Sequence, residues 1–282
     1  MPGPARIVRY DVSSALWSLP RMRIAVLADL HACDRWMPLD RIERIVTQAN
    51  ATHPDIIVLP GDFLVGHLVG KKPIAADRIA QVLSGLQAPQ GVYASLGNHD
   101  WADCPEAQQN GYAQSSVEAA LAEAGLRVLK NAAAQMPNGG YVVGLDSAIG
   151  HGSTFRPKPR HDPKKAFASI PKGASTILLA HEPDVFIEHA SPAALQISGH
   201  THGGQIGALG ILATLPSRYG TRLDYGHKQH IERNLIISGG LGYGGVPLRL
   251  GRTSEISLIH LRSKPDGATV ANRQVTALRE GV

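Results

Sequence analysis

Cysteine is scarce in this chain, with 2 in 282 residues. Cys33 and Cys104 lie on separate segments, which excludes the disulfide framework of small secreted domains and points to a reducing compartment. No run approaches the roughly eighteen apolar residues that a membrane-spanning helix needs. The N-terminal stretch "MPGPARIVRYDVSSALWSLP" lacks an apolar h-region and a cleavage site, so the expected location is cytoplasmic, with peripheral contact to a membrane compatible. There is no internal repeat. Nor is there a strong excess of one charge: charged residues make up 18% of the chain and the formal net charge is +5. That modest basic balance, with a pI near 9.3, suits an anionic partner such as a phosphate ester, nucleic acid or a lipid headgroup. No motif for sequence-specific reading of nucleic acid accompanies it.

What is present is apolar substance, 43% of residues, enough to bury a large core in one α/β domain. The expected division is an N-terminal extension packing on the domain (1–20), the domain itself (21–264) and a C-terminal tail (265–282). Apolar runs of strand length alternate with helix-like segments. Strands are predicted near Arg6 to Val12 and over 22–29, 55–62, 91–100, 126–129, 141–146, 175–182, 194–200, 234–240 and 255–261. Leu16 and Trp17 are expected in an apolar turn that covers the core. Helices are predicted over 38–50, where Leu39, Ile42, Ile45, Val46 and Ala49 share a face behind Pro38, and over 74–84 and 114–124. The segment "FRPKPRHDPKK" (155–165) reads as a solvated loop.

Five of these strands end in side chains able to bind a metal. Asp29 and His31 follow the first, Asp62 the second, and Asn98 and His99 the third; His181 follows a later strand, and His200 and His202 close "GHTHGGQ" after the next. Each group alone reads as a turn or a satisfied histidine. In open α/β sheets, however, the functional crevice lies outside the carboxyl ends of strands, where sequence-distant residues converge. Histidine with carboxylate in such a set suits Mn, Fe or Zn. The one-residue spacing of His200 and His202 is read as an extended turn whose alternate side chains face one centre.

Asp29-x-His31, Gly61-Asp62, Gly97-Asn98-His99-Asp100, His181 and Gly199-His200-Thr201-His202 resemble the five-block signature of the calcineurin-like metallophosphoesterases. "ILLAHEPD", "SGHTHGGQIG" and "LIISGGLGYGGVPLRLG" most resemble the bacterial YkuE- and YaeI-like phosphodiesterases. The resemblance implies a four-layer α/β fold, two packed mixed β-sheets flanked by α-helices, with two metal ions per chain at one edge. It implies that Asp29, His31 and His202 hold the first ion, that Asn98, His181 and His200 hold the second, and that Asp62 bridges both. It further implies a metal-bridging hydroxide as nucleophile, His99 as general acid to the leaving alkoxide, and a supporting place for Asp100 behind the ligands. Cys33, two residues past His31, is expected to be a packed thiol. The acidic-arginine-glycine element of the protein phosphatases is missing after Gly61-Asp62, where the chain reads "GDFLVGH", so a phosphoprotein substrate is not expected.

Two divalent ions, two carboxylates and a hydroxide sum to about +1, which balances a phosphodiester monoanion; a monoester dianion wants further cations, and Arg35 and Arg218 are the candidates. The expected substrate is a small or lipid-like phosphodiester. A UDP-2,3-diacylglucosamine pyrophosphatase is the alternative, with "GILATLP" (210–216) as its acyl groove, and a ligand-depleted binding scaffold is the non-enzymatic one. All seven ligand positions are filled, against the scaffold.

Overall fold

The computed structural model describes residues 3–66, 72–205 and 215–264, and the backbone of 275–277. Thirteen strands among these residues form two mixed sheets. In the first, β1 (Arg6–Ser14) and β12 (Glu255–Ser263) lead into β2 (Met22–Val26), β3 (Ile56–Leu59), β4 (Val92–Ala94) and β5 (Arg127–Val128). The second runs β13 (Val275–Ala277), β10 (Gly226–His230), β11 (Arg233–Ile237), β9 (Leu195–Ser198), β8 (Thr176–Leu179), β7 (Tyr141–Gly144) and β6 (Ala132–Gln135). The central strands β2, β3 and β4 are mutually parallel, as are β7, β8, β9 and β11.

These strands read as continuous apolar runs because both of their faces are covered. Ile24, Val26, Ile56, Val58 and Tyr93 of the first sheet meet Val142, Ile177, Leu179, Leu195 and Ile197 of the second in one buried cluster. The outer face of the first sheet is covered by α1 (Leu39–Asn50), α2 (Ala76–Leu83) and α5 (Ser116–Glu123), through Ile42, Ile45, Ile79, Leu83, Val117 and Leu121. The outer face of the second carries α6 (Pro163–Phe167) and α7 (Val185–Glu188), through Ala166, Val185 and Phe186. Helix, sheet, sheet, helix is the four-layer order expected from the resemblance.

Pro38 caps α1 instead of occupying its first turn. Trp17 is buried, its indole donating to the Pro20 carbonyl, whereas Leu16 points outward at 38% exposure. Several features depart from the sequence reading, among them the unpredicted strands β10 and β13 and helix α7. Residues 98–100 do not extend β4: the strand stops at Ala94, and His99–Ala102 form a short helix, α3. The basic segment 155–165 is loop only as far as Asp162, whose carboxylate accepts from the Lys165 amide and starts α6. Strand β6, "AAAQ", escapes the pattern because alanine has no strand preference, and pairing with β7 alone makes it a strand. A further short helix, α4 (Pro105–Gln109), follows Cys104 as its cap. Among the described residues no helix is long and apolar enough to cross a membrane.

Candidate metal centre

The carboxyl ends of β2, β3 and β4 in one sheet and of β8 and β9 in the other open on the same edge. There the sequence-predicted residues meet in two buried clusters, Asp29 with His31 and His202, and Asp62 with His181 and His200. Asp62 lies between them, its Oδ2 3.0 Å from His181 Nε2 and 3.6 Å from His31 Nε2. His31 Nε2 and His202 Nε2 face each other at 3.0 Å, and Asp29 Oδ1 stands 3.9 Å from His202 Nε2.

Backbone hydrogen bonds orient these side chains, two of them across the sheets. The His200 amide donates to Asp29 Oδ1 at 2.8 Å, His181 Nδ1 donates to the Pro60 carbonyl at 2.7 Å, and His31 Nδ1 donates to the Leu64 carbonyl at 3.0 Å. Those bonds hold a proton on Nδ1 of His31 and His181 and aim Nε2 into the clusters. Burial opposes charge on the metal-free His181 imidazole, but Asp62 outweighs it and keeps the pKa well above its usual value; Nε2 becomes a lone-pair donor when a cation displaces its proton.

The backbone reaches this geometry in an uncommon conformation. Among the described residues nine non-glycine positions have positive φ, and five of them are Asp29 (53°), His31 (46°), Asp62 (60°), His200 (72°) and His202 (52°). Left-handed backbone at side-chain-bearing residues costs on the order of 1–3 kcal/mol each and collects where surroundings enforce it. It corrects the extended-turn reading of residues 199–205: His200 and His202 sit on a left-handed coil and point to different clusters. Close approach explains two of the glycines. A Cβ at Gly97 would lie 2.2 Å from Asp62 Oδ1, and one at Gly199 would lie 2.6 Å from Asp29 Oδ2.

The donors fit a pair of divalent cations. Asp29 Oδ2, Asn98 Oδ1, His181 Nε2 and His200 Nε2 are buried polar atoms without a hydrogen-bond partner, a costly condition that a cation relieves. His181 Nε2 faces Asp62 Oδ2 at 3.0 Å in a poorly directed contact, so both atoms are turned toward the space between the clusters. Burial raises the Asp29 carboxyl to about 6, with the Asp62 charge adding to it and His181 opposing. Burial would also raise Asp62, but His181, His99 and His31 together hold it well below the usual carboxylate range. Burial and the nearby His181 bring His200 down to about 4. A neutral imidazole beside carboxylates is the donor set that Mn, Fe and Zn prefer.

Asp100 reaches no cluster atom. Its fully buried carboxylate accepts from the amides of Asp62, Phe63, Leu64 and Gly97 at 2.8–3.1 Å, clamping the two loops that carry Asp62 and Asn98. Burial and the Asp62 charge push it up to about 7. His99 packs edge-on against His31, ring centroids 5.1 Å apart, and its Nδ1 lies 2.6 Å from Asp103 Oδ2. Burial works against the charged imidazole, but Asp62 and Asp103 outweigh it and lift its pKa above the usual value. Asp103 was not singled out from the sequence; its position four residues after His99, one helical turn on, is the signal that would find it.

Above the clusters lies a cavity of about 470 Å³ lined by Asp62, Asn98, His99, His200, His202 and two wall segments, 149–154 and 244–246. Glu182, beside His181, holds the first wall through the Ser147 hydroxyl and the Ala148 amide. Arg249 ties down the chain leading into the second, donating to the Gly239 and Gly242 carbonyls and to His202 Nδ1 at 3.3 Å. Neither was picked out as a site residue from the sequence, since nothing in their spacing marks them.

Arg35 and Arg218 are not in this lining. Arg35 lies over the Trp36 ring, and Arg218 is engaged with Asp184 and Glu188. Cys33 is a free, fully buried thiol in the core. Residues 210–214 of "GILATLP" lie outside the described residues.

Two helix-flanked sheets whose strand ends present a double His/Asp cluster define a metallophosphoesterase. The sequence pattern of the calcineurin-like phosphoesterases matches residues 22–204. A metallophosphoesterase of Aquifex aeolicus is 28% identical over 92% of this chain and 92% of its own length. The metallophosphoesterase YkuE of Bacillus subtilis is 27% identical over 86% and 79% respectively, and the UDP-2,3-diacylglucosamine pyrophosphatase LpxG of Chlamydia trachomatis 27% over 73% and 71%. The chain belongs to the calcineurin-like phosphoesterase family, in its bacterial YkuE-like branch.

Proposed function

We propose that the protein is a two-metal phosphodiesterase acting on a small or lipid-like diester. Asp29, His31 and His202 would hold one ion, Asn98, His181 and His200 the other, and Asp62 both. Bound there, a pair of divalent ions supplies Lewis acidity toward a phosphoryl oxygen and lowers the pKa of water to near neutrality. The chain's own residues do the rest. Asp100 fixes the Asp62 and Asn98 loops, the wall segments exclude bulk water, and His99, with Nδ1 held by Asp103, is placed to deliver a proton from Nε2 to the departing alkoxide.

The observation that carries the diester reading is the cavity lining, which among the described residues contains neither lysine nor arginine. A centre of about +1 with no lysine or arginine in that lining, and with the His99 proton reserved for the leaving group, matches one negative charge better than two. The test is hydrolysis of bis(p-nitrophenyl) phosphate against p-nitrophenyl phosphate, with Mn or Zn and after chelation. A metal-dependent preference for the diester is expected; equal or greater kcat/KM on the monoester overturns the reading.

A nucleotide-lipid pyrophosphate is the second reading. It is supported by the likeness to the chlamydial pyrophosphatase and by Ile149, Pro216 and Val246 in the lining.

A further inference from the structure

Large apolar side chains that remain exposed gather around the mouth of this cavity. Among the described residues six stand exposed, and four of them, Phe155 (82%), Val246 (45%), Leu248 (45%) and Leu250 (42%), sit on the two wall segments or directly beyond them. Single exposed apolar residues need no explanation, whereas a group around a site opening marks a contact surface.

The exposure is built into the loops. Ser153 and Arg156 exchange both backbone hydrogen bonds, so Thr154 and Phe155 form the tip of a tight turn. That turn is tied down where the Lys158 amide donates to the Ile149 carbonyl and the Arg160 amide to the Ser147 carbonyl. On the opposite wall, the Gln205 side-chain amide donates to the carbonyls of Gly244, Val246 and Leu248. With the backbone so held, Val246, Leu248 and Leu250 alternate outward while Arg249 turns inward.

Next to the Phe155 tip lies the basic stretch that the catalytic reading leaves unused. Arg156, Lys158, Lys164 and Lys165 are exposed. Its one carboxylate, Asp162, is occupied as the cap of α6, and its remaining arginine, Arg160, is engaged by Asp146 and the Trp101 ring. Apolar knobs beside cations are the chemistry that lodges a peripheral protein at an anionic lipid–water interface: the knobs enter the acyl boundary and the cations meet the headgroups.

We propose that the cavity mouth docks on an anionic lipid bilayer, through Phe155, Val246, Leu248 and Leu250 with Arg156 and Lys158 beside the Phe155 tip and Lys164 and Lys165 further along the same stretch. The docking stands on exposure and charge alone. Only its purpose, presenting a membrane-borne phosphodiester to the clusters, rests on the phosphodiesterase reading.

The test is co-sedimentation of the full chain with vesicles of phosphatidylcholine containing about one-third phosphatidylglycerol, compared with phosphatidylcholine alone. Two paired variants, Phe155→Ser with Leu248→Ser and Arg156→Glu with Lys158→Glu, are run beside it, with thermal melts to confirm folding. Each cation at an anionic surface contributes roughly fivefold, so the charge pair should lose more than about 20-fold in binding, and salt near 0.5 M should weaken the wild type. The apolar pair should lose at least about tenfold. Both pairs should hydrolyse bis(p-nitrophenyl) phosphate in solution at the wild-type rate. Vesicle binding without diester hydrolysis keeps the docking and removes the phosphodiesterase reading. The proposal is overturned if the wild type ignores anionic vesicles, binds neutral ones as well, or if both folded pairs bind like wild type. It is also overturned if the rim instead drives self-association in sedimentation equilibrium that the apolar pair abolishes.

Discussion

At the floor of the cavity, Asp29, His31, Asp62, His200 and His202 keep left-handed backbone with almost no solvent exposure. At its rim, Phe155, Val246, Leu248 and Leu250 lie on tied-down loops with their side chains in water. The floor carries conformational strain and unpartnered polar atoms, while the rim carries unburied apolar surface. Each is unfavourable for folding by itself, and the two-sheet core beneath is what sustains both. The contrast teaches where function sits: the floor selects chemistry through a few fixed donors, and the rim selects what reaches it.

Breaking the floor should have the largest effect. Replacing Asp62 with Ala removes the carboxylate between the clusters, and the expected outcome is loss of both metal equivalents and a fall in kcat beyond the ~10²–10³ typical of losing one oxyanion donor. Asn98→Ala should weaken mainly one ion. Elemental analysis after dialysis separates these, and two equivalents retained by Asp62→Ala would disprove the shared position.

His99→Ala comes next, with an expected loss of about 10²–10⁴ on a diester with a poor alkoxide leaving group and a much smaller one when p-nitrophenolate departs. The measurement is kcat/KM for both substrates at checked metal content. Equal losses would make His99 structural.

The support behind the floor gives a smaller effect. Gly199→Ala drives a Cβ into the Asp29 carboxylate, 2.6 Å away. Roughly 10- to 100-fold weaker metal affinity is expected, as for other disruptions behind a ligand, with the sheets intact. Competition with a chelator reads it, and unchanged affinity would mean that the coil at 199–202 yields.

Smallest of all should be Cys33→Ser. The hydroxyl enters an apolar core at a cost of about 1–3 kcal/mol in stability, yet kcat/KM should hold because the thiol packs in the core beside Ala32 and Met37. A large activity loss in the folded protein would bring the thiol into the chemistry and blur the line between core and floor.

The sequence by itself determined the central strands, since Ile24, Val26, Ile56 and Val58 lie in runs too apolar to face water. It also determined the residues of the two clusters, because a parallel strand delivers whatever follows its carboxyl end to the same edge. Periodicity is local, and so is a motif. What depends on contacts between distant segments was settled only in the tertiary structure. Asp100 becomes a clamp only when the loops after β3 and β4 lie side by side, and Asp103 becomes the partner of His99 only once α3 winds one turn. Arg218, available by charge, is taken by Asp184 and Glu188. The left-handed turns at the clusters likewise need cross-sheet bonds such as that from the His200 amide to Asp29. Aspartate and histidine tolerate that backbone better than most side chains, but it still costs energy in them, and packing from the opposite sheet enforces it.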